Sequence, residues 1–424
     1  MKYFTGDESG LVKWIAFPPQ IKEKPRKKKQ KTEGEEGEEE KKKETLQPLM
    51  GSFGKVNKDR AVQLLEWANL KDQQLLLVAR KDGSVEFLDP ETGDIVKTFQ
   101  NKHVGSEKDQ GKFVGIFVTN TYLCLCTSTG DLSYTMLRCK DGSETKTVLN
   151  LGPDLEIMRG HPTLQNMFAI GGKGRDLCIY DIKKIVKNGD ATVETIDSAG
   201  PTKNTSPHKK QSERNTGLVF QAKNVKNDFL DLQQPVWIHD LQFMNKEATQ
   251  VAVATHYHQF RLYDTKKARR PVISTEIGKN PIKSLAVGKD FNHVLFADTM
   301  STAGMIDIRT GKQAALFKGL TGAVTSLITA PTPKFDDDDD SSDKERFVAS
   351  VSLDRFLRVH EISTIYRNVV DKAYLKQRLT CVLVDEGYEY PVPKVKTEEE
   401  ELEEEEDAMW EAMEVANDKK RKRN

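Results

Sequence analysis

A unit recurs seven times along this chain, and that recurrence limits the fold more than any other feature of the sequence. Each copy opens on an aliphatic or β-branched run and turns through a polar step with Asp or Gly. It then leaves on an alternating run that tends to end aliphatic, aromatic, acidic. The copies are FTGDESGLVKWI (4–15), LVARKDGSVEFLD (77–89), LCTSTGDLSYTML (125–137), AIGGKGRDLCIYDI (169–182), VATHYHQFRLYDT (253–265), LFADTMSTAGMIDI (295–308) and SVSLDRFLRVHEI (350–362). Two such runs around a short polar turn predict an antiparallel hairpin. An apolar stretch precedes most copies, at 62–67, 113–118, 237–243, 282–287 and 324–328, and a further strand follows several, as at 94–99 and 313–317. Four short strands per unit, seven times over, predict an all-β chain: a seven-bladed β-propeller of WD40 type.

Spacing agrees. Without the stretches at 18–45, 186–215 and 386–424, 327 residues remain. That is about 47 per unit, near the roughly 40–45 of WD-type repeats. The first copy has no apolar strand before it, and the last apolar strand, LTCVLV (379–384), has no hairpin after it. Joining the two completes a seventh blade from both ends of the chain and removes an open sheet edge. The reading is thus a propeller over 1–385, with 18–45, 186–215 and 336–345 as flexible insertions and 386–424 as a disordered tail. The WD dipeptide itself is degraded: IYD (179–181) and LYD (262–264) approach it, MIDI (305–308) is weaker, and the one Gly-His pair is Gly160-His161.

Charge supports that division. The 424 residues hold 65 Lys or Arg against 65 Asp or Glu, a formal net charge of zero. The charges are segregated: KEKPRKKKQK (22–31) meets an acidic run at 33–40, five aspartates stand at 336–340, nine acids in ten residues at 398–407, and KKRKR closes at 419–423. Blocks this dense repel and bury too little apolar area to offset ordering entropy, so disorder is expected there. No run of 18 apolar residues occurs and the first residues hold no apolar leader core, so no membrane span or secretory signal is expected, and the chain is placed in cytosol or nucleus.

Sequence chemistry argues against an enzyme. Cys124 and Cys126 fall on one face of an apolar run, where free Cys acts as a small hydrophobe, and no partner pair stands at zinc spacing. His256 and His258 are read as alternating on a strand. No G-x-S-x-G elbow occurs, and Gly171-Gly172-Lys173-Gly174 lacks the Lys-Ser/Thr of a phosphate loop and falls in a hairpin turn. No cofactor, metal or small-molecule substrate is expected.

Four stretches resemble the WD-repeat ribosome biogenesis factor family, which includes the yeast Nop-seven-associated protein one and its animal nucleolar counterpart. They are GDESGLVKW (6–14), AIGGKGRDLCIYDI (169–182), LYDTKKARRPV (262–272) and AYLKQRLTCVLVD (373–385). The resemblance implies a non-enzymatic scaffold on nucleolar precursors of the large ribosomal subunit. Such a scaffold would touch ribosomal RNA and other assembly factors and be removed by a nuclear AAA ATPase.

Candidate contacts follow. Lys266, Lys267, Arg269 and Arg270 lie in a loop between a third strand and Pro271, where four cations in five positions suit RNA phosphates; an ordinary solvated turn is the alternative. Lys209, Lys210 and Arg214 in the polar insertion suit backbone recognition of RNA without base readout. Met409, Trp410 and Met413 follow the acidic run at helical spacing, as a partner-docking segment would. Lys419, Lys420, Arg421, Lys422 and Arg423, like PRKKK at 25–29, read as nuclear import signals. Two other functions compete: a substrate receptor of a cullin ubiquitin ligase, for which Ile306-Asp307-Ile308-Arg309 lacks the Trp, and a chromatin reader.

Overall fold

The computed structural model describes residues 1–19, 47–70, 73–105, 107, 110–140, 142–186, 194–195, 217–335, 346–362 and 368–391. The chain divides into two compact units, Met1–Ala16 with Pro48–Tyr388, and Phe17–Gln47 with Glu389–Asn424. In the second, Tyr390 Oη donates to the carbonyl of Gln47 at 2.7 Å. The first is a seven-bladed β-propeller.

Each blade is a four-stranded antiparallel meander whose first strand is innermost, and Ser143–Glu144 and Glu194–Thr195 add a short parallel strand to the outer edges of blades one and two. In chain order the inner strands are Val62–Leu70, Phe113–Val118, Leu155–Gly160, Ile238–Phe243, Ile282–Val287, Val324–Ala330 and Leu379–Asp385, which define blades one to seven. The seven repeats form the second and third strands. Blade seven takes its inner strand from Leu379–Asp385, the last strand among the described residues, and the rest from Lys2–Asp7, Val12–Ala16 and Leu49–Phe53. Lys2 to Asp7 pair with Asp385 to Leu379, and Trp67 of blade one donates its indole N–H to the Val384 carbonyl at 2.8 Å. The ring is closed through these bonds.

Hydrophobic side chains pack between neighbouring blades rather than in one central mass. Phe4, Val12 and Leu383 of blade seven meet Val62, Leu76 and Val78 of blade one, and Cys124 and Cys126 of blade two sit with Leu155 and Phe168 of blade three. Burial raises both thiols, Cys126 to about 12, as befits core packing.

Two hydrogen-bond families define the ends of the propeller. At one end, here the upper face, the turn between second and third strands donates to the carbonyl just before the inner strand. The seven bonds run from Lys81 to Ala61, Ser128 to Lys112, Lys173 to Asp154, His256 to Trp237, Thr299 to Pro281, Leu353 to Ala323 and Glu8 to Arg378, at 2.8–3.1 Å. At the opposite, lower face the residue after a third strand donates to the one before the second, as from Ile182 to Asn166 and Thr265 to Thr249, both at 2.8 Å.

The inner strands share a bulge that no repeat pattern announces. Pairing with the second strand skips one residue near the upper end of all seven: Gln63, Val114, Glu156, His239, Lys283, Thr325 and Thr380. Freed from the ladder, several of these side chains latch the next blade. Gln63 Oε1 accepts from the Phe113 N–H at 2.8 Å, His239 Nδ1 meets the Ile282 carbonyl at 3.0 Å, and Thr325 Oγ1 donates to the Leu379 carbonyl at 2.9 Å.

His256 and His258 do not alternate on a strand. They lie in the turn after Gln250–Thr255, with Thr255 Oγ1 accepting the Gln259 N–H at 3.1 Å and His258 at φ 48°. The hairpin reverses there, so the two imidazoles have no common sheet face. Gly160 ends the inner strand of blade three, and the His161 ring stacks on Phe335 from blade six's lower link at 5.4 Å.

Candidate nucleic-acid and partner interface

The acidic residue that closes most repeats has a specific task. Asp89, Asp181, Asp264 and Asp307 each accept the N–H two residues on, at 2.8, 3.0, 3.1 and 2.8 Å. A carboxylate at the end of a third strand thereby folds the link to the fourth strand back on itself. In blade four that link is the basic loop at 266–270. Asp264 also accepts the Lys267 and Ala268 N–H groups through its carbonyl, both at 3.1 Å, so the loop leaves the lower face as a tight turn.

All of 266–270 is exposed, as the sequence suggests. Its four cations are not equivalent. Lys266 pairs with Glu247 of the neighbouring lower turn, and Lys267 lies 3.4 Å from Asp264 Oδ2. Arg269 donates Nε–H to the Gln221 carbonyl at 2.8 Å, and its own carbonyl accepts the Lys223 N–H at 2.8 Å. The loop therefore lies against the outer strand of blade three, Leu218–Gln221. Arg270 has no hydrogen bond or ion pair among the described residues. Carboxylates offset both lysines, while Arg269 spends one donor and keeps its charge. Arg269 and Arg270 thus carry the uncompensated charge of the loop.

The lower face is also where the chain leaves its long charged stretches. Val12–Ala16, Arg175–Asp181, Val324–Ala330 and Leu379–Asp385 all end there, ahead of the charge-rich sequences at 18–45, 186–215, 336–345 and 386–424. A cavity of about 750 Å³ opens along the channel, lined by the lower halves of inner strands from all seven blades. Near its mouth Phe335 stacks between Phe291 at 4.1 Å and His161 at 5.4 Å. Among the described residues no group of three or more His, Cys, Asp or Glu is arranged to hold a metal, and no helix is long and apolar enough to cross a membrane.

No protein-family model matches the chain. Over 377 residues it is 30% identical to WD repeat-containing protein 74 of Bos taurus, spanning 87% of this chain and 84% of the relative. The Homo sapiens protein of that name gives the same figures. Ribosome biogenesis protein nsa1 of Schizosaccharomyces pombe is 25% identical over 432 residues, covering 99% of this chain and 97% of the relative. The chain belongs to the WD repeat-containing protein 74 and NSA1 family. Of the stretches that resemble it, GDESGLVKW and AYLKQRLTCVLVD meet in blade seven, AIGGKGRDLCIYDI forms the central hairpin of blade three, and LYDTKKARRPV runs from the third strand of blade four into the basic loop.

The other expected contacts, Lys209, Lys210, Arg214, Met409, Trp410, Met413 and Lys419 to Arg423, lie outside the described residues. Sequence reasoning also passed over the acceptors that divide the basic loop. Glu247 is 19 residues from Lys266 and Gln221 is 48 from Arg269, separations no local pattern encodes.

Proposed function

We propose that this protein is a non-enzymatic assembly factor for the large ribosomal subunit, a scaffold that holds ribosomal RNA and other assembly factors on nucleolar precursors. The observation that carries this reading is family membership over most of the chain, with relatives named for ribosome biogenesis. Arg269 and Arg270 contact RNA phosphates from the lower face, and Lys209, Lys210 and Arg214 add backbone contacts from the insertion. Met409, Trp410 and Met413 dock a partner, and Lys419 to Arg423 direct nuclear import. A nuclear AAA ATPase removes the protein once its step is complete.

Crosslinking tests the RNA contact. The full chain, irradiated on purified large-subunit precursors, should crosslink to ribosomal RNA through peptides spanning 259–276. Replacing Arg269 and Arg270 by Glu should remove those crosslinks and leave the melting temperature unchanged. Crosslinks of undiminished yield in that variant would contradict the assignment.

A further inference from the structure

The upper face is nearly all described and is divided in character. The hairpin tips of blades seven, one, two and three are polar, at Glu8, Lys81, Ser128 and Lys173. The tips of the next three carry Tyr257, Met300 and Leu353, the last two 61% and 45% exposed. Beside this arc, the link from blade three to blade four rises into a loop. Asp228 Oδ1 accepts the N–H groups of Leu230 and Leu232 at 2.9 and 2.8 Å, and Asn227 Nδ2 donates to Asp231 Oδ1 at 2.8 Å. With its polar groups bound to one another, the loop holds Phe229 94% exposed and Leu230 63% exposed. A large ring held in water by an ordered turn contributes nothing to the packing of this chain.

The links on the same arc are basic. The links between blades four and five, five and six, and six and seven present Lys279, Lys318 and Lys376, all exposed and without an ion pair among the described residues. Lys283, a bulged residue, adds a fourth exposed cation at the channel mouth. The acids of this arc are held by nearby groups: Asp228 and Asp231 within the Phe229 loop, and the exposed Glu276 3.8 Å from His258. Asp298 accepts the Met300 and Thr302 N–H groups at 3.0 and 2.8 Å, and Asp354 is held by Arg358 at 2.6 Å. Four of these five carboxylates build or brace turns, while Lys279, Lys318 and Lys376 face outward without an ion pair among the described residues.

We propose that the upper face of blades four to six is a protein-docking surface whose occupant is an acidic segment of a partner, with large apolar side chains interleaved among its carboxylates. Met300, Leu353 and the Phe229 loop bury the apolar side chains, while Lys279, Lys318 and Lys376 meet the carboxylates. Nucleic acid fits less well: phosphates would neutralise the lysines but give the aliphatic tips no apolar partner. The inference is independent of RNA contact by the lower loop.

An arrayed library of 12-residue peptides, graded in charge and apolar content, tests this with the full chain. The comparison is a variant carrying Met300→Asp, Leu353→Asp, Lys279→Glu and Lys318→Glu, all at exposed positions, so both proteins should melt alike. If the fourfold variant does not fold, Met300→Asp with Leu353→Asp alone replaces it. The wild type should select peptides rich in Asp or Glu together with Leu, Phe, Met or Trp, and the variant should bind them at least tenfold more weakly. Absence of binding, selection of basic peptides, or equal binding by the variant overturns the proposal. So does displacement of the peptides by a 12-nucleotide oligouridylate whose binding is lost on the two lysine changes alone, which would reassign the face to RNA.

Discussion

Arg80 and His239 show how single residues carry the ring. Arg80 is buried in blade one, donates to Glu86 at 2.6 Å and to the Gly10 carbonyl of blade seven at 2.7 Å, and so fastens the closing blade. Removing its counterion leaves a buried guanidinium charge, and Glu86→Ala should lower stability by about 3–5 kcal/mol, measured by urea unfolding. His239 behaves differently. Burial, then the nearby Lys283 charge, lowers its pKa to about 4, below the ordinary 6.5. With Nδ1–H donated to Ile282, Nε2 accepts from His256 Nδ1 at 3.3 Å, a pattern that fits the neutral ring. Because the folded pKa is depressed, the unfolded chain takes up the proton first, so this stability is full above pH 6.5 and drains as pH falls toward 4. His161 and His360, both lowered by burial, act in the same direction. His239→Gln should make the melting temperature fall less steeply from pH 6.5 to 4.5; an unchanged slope would exclude His239 as a source. Neither role was legible locally. Arg80 and Glu86 stand out as charges in an apolar hairpin, but the Gly10 acceptor is 70 residues away.

At the scale of elements, the hairpins were the legible part. Most reverse at a turn of Asp, Gly, Ser or Thr and so announce both strands and the reversal; the blade-four copy turns at His256-Tyr257-His258, which hid its reversal. The outer strands were harder. Leu218–Gln221 and Ile273–Glu276 bury half of one face and expose the other, leaving a four-residue pattern too short to separate from a loop. The inner strand Leu155–Gly160 was missed because LEIMRG sets a charge at its second and fifth positions, where the bulged Glu156 pairs with Lys112 and Arg159 lines the channel. Closure was legible because each chain end lacked its complement. Gly6 marks how closely that joint packs: an added Cβ would lie 2.4 Å from Val62 Cγ1 and 2.9 Å from Cys381 Sγ. Gly6→Val should therefore cost about 1–3 kcal/mol by overpacking. A chain ended before Leu379 loses the inner strand of blade seven and leaves Lys2–Asp7 as an open edge. It should aggregate and lose its cooperative melt, whereas a chain ended after Pro391 should melt with the full protein.

For the whole molecule, the segregation of charge mattered more than its sum. Zero net charge conceals a propeller whose lower face releases the charged stretches and whose upper face carries unpaired lysines over part of its circumference. The loop at 266–270 was legible as a basic turn, but its full division was not: Asp264 stands beside Lys267 in sequence, whereas Glu247 is 19 residues from Lys266 and Gln221 is 48 from Arg269, in another blade. If RNA is held through Arg269 and Arg270, replacing both by Ala should reduce the slope of log affinity against log salt by about 1.4, two single-strand phosphate contacts. Replacing Lys266 and Lys267 instead should change it little, because Glu247 and Asp264 already offset them.

Gradient sedimentation of the tagged full chain from growing cells tests the central claim most directly. The protein should co-migrate with precursors of the large ribosomal subunit and leave those fractions when precursor ribosomal RNA synthesis is stopped. Migration with a cullin complex or with nucleosomes, or as free protein at the top of the gradient, would contradict it.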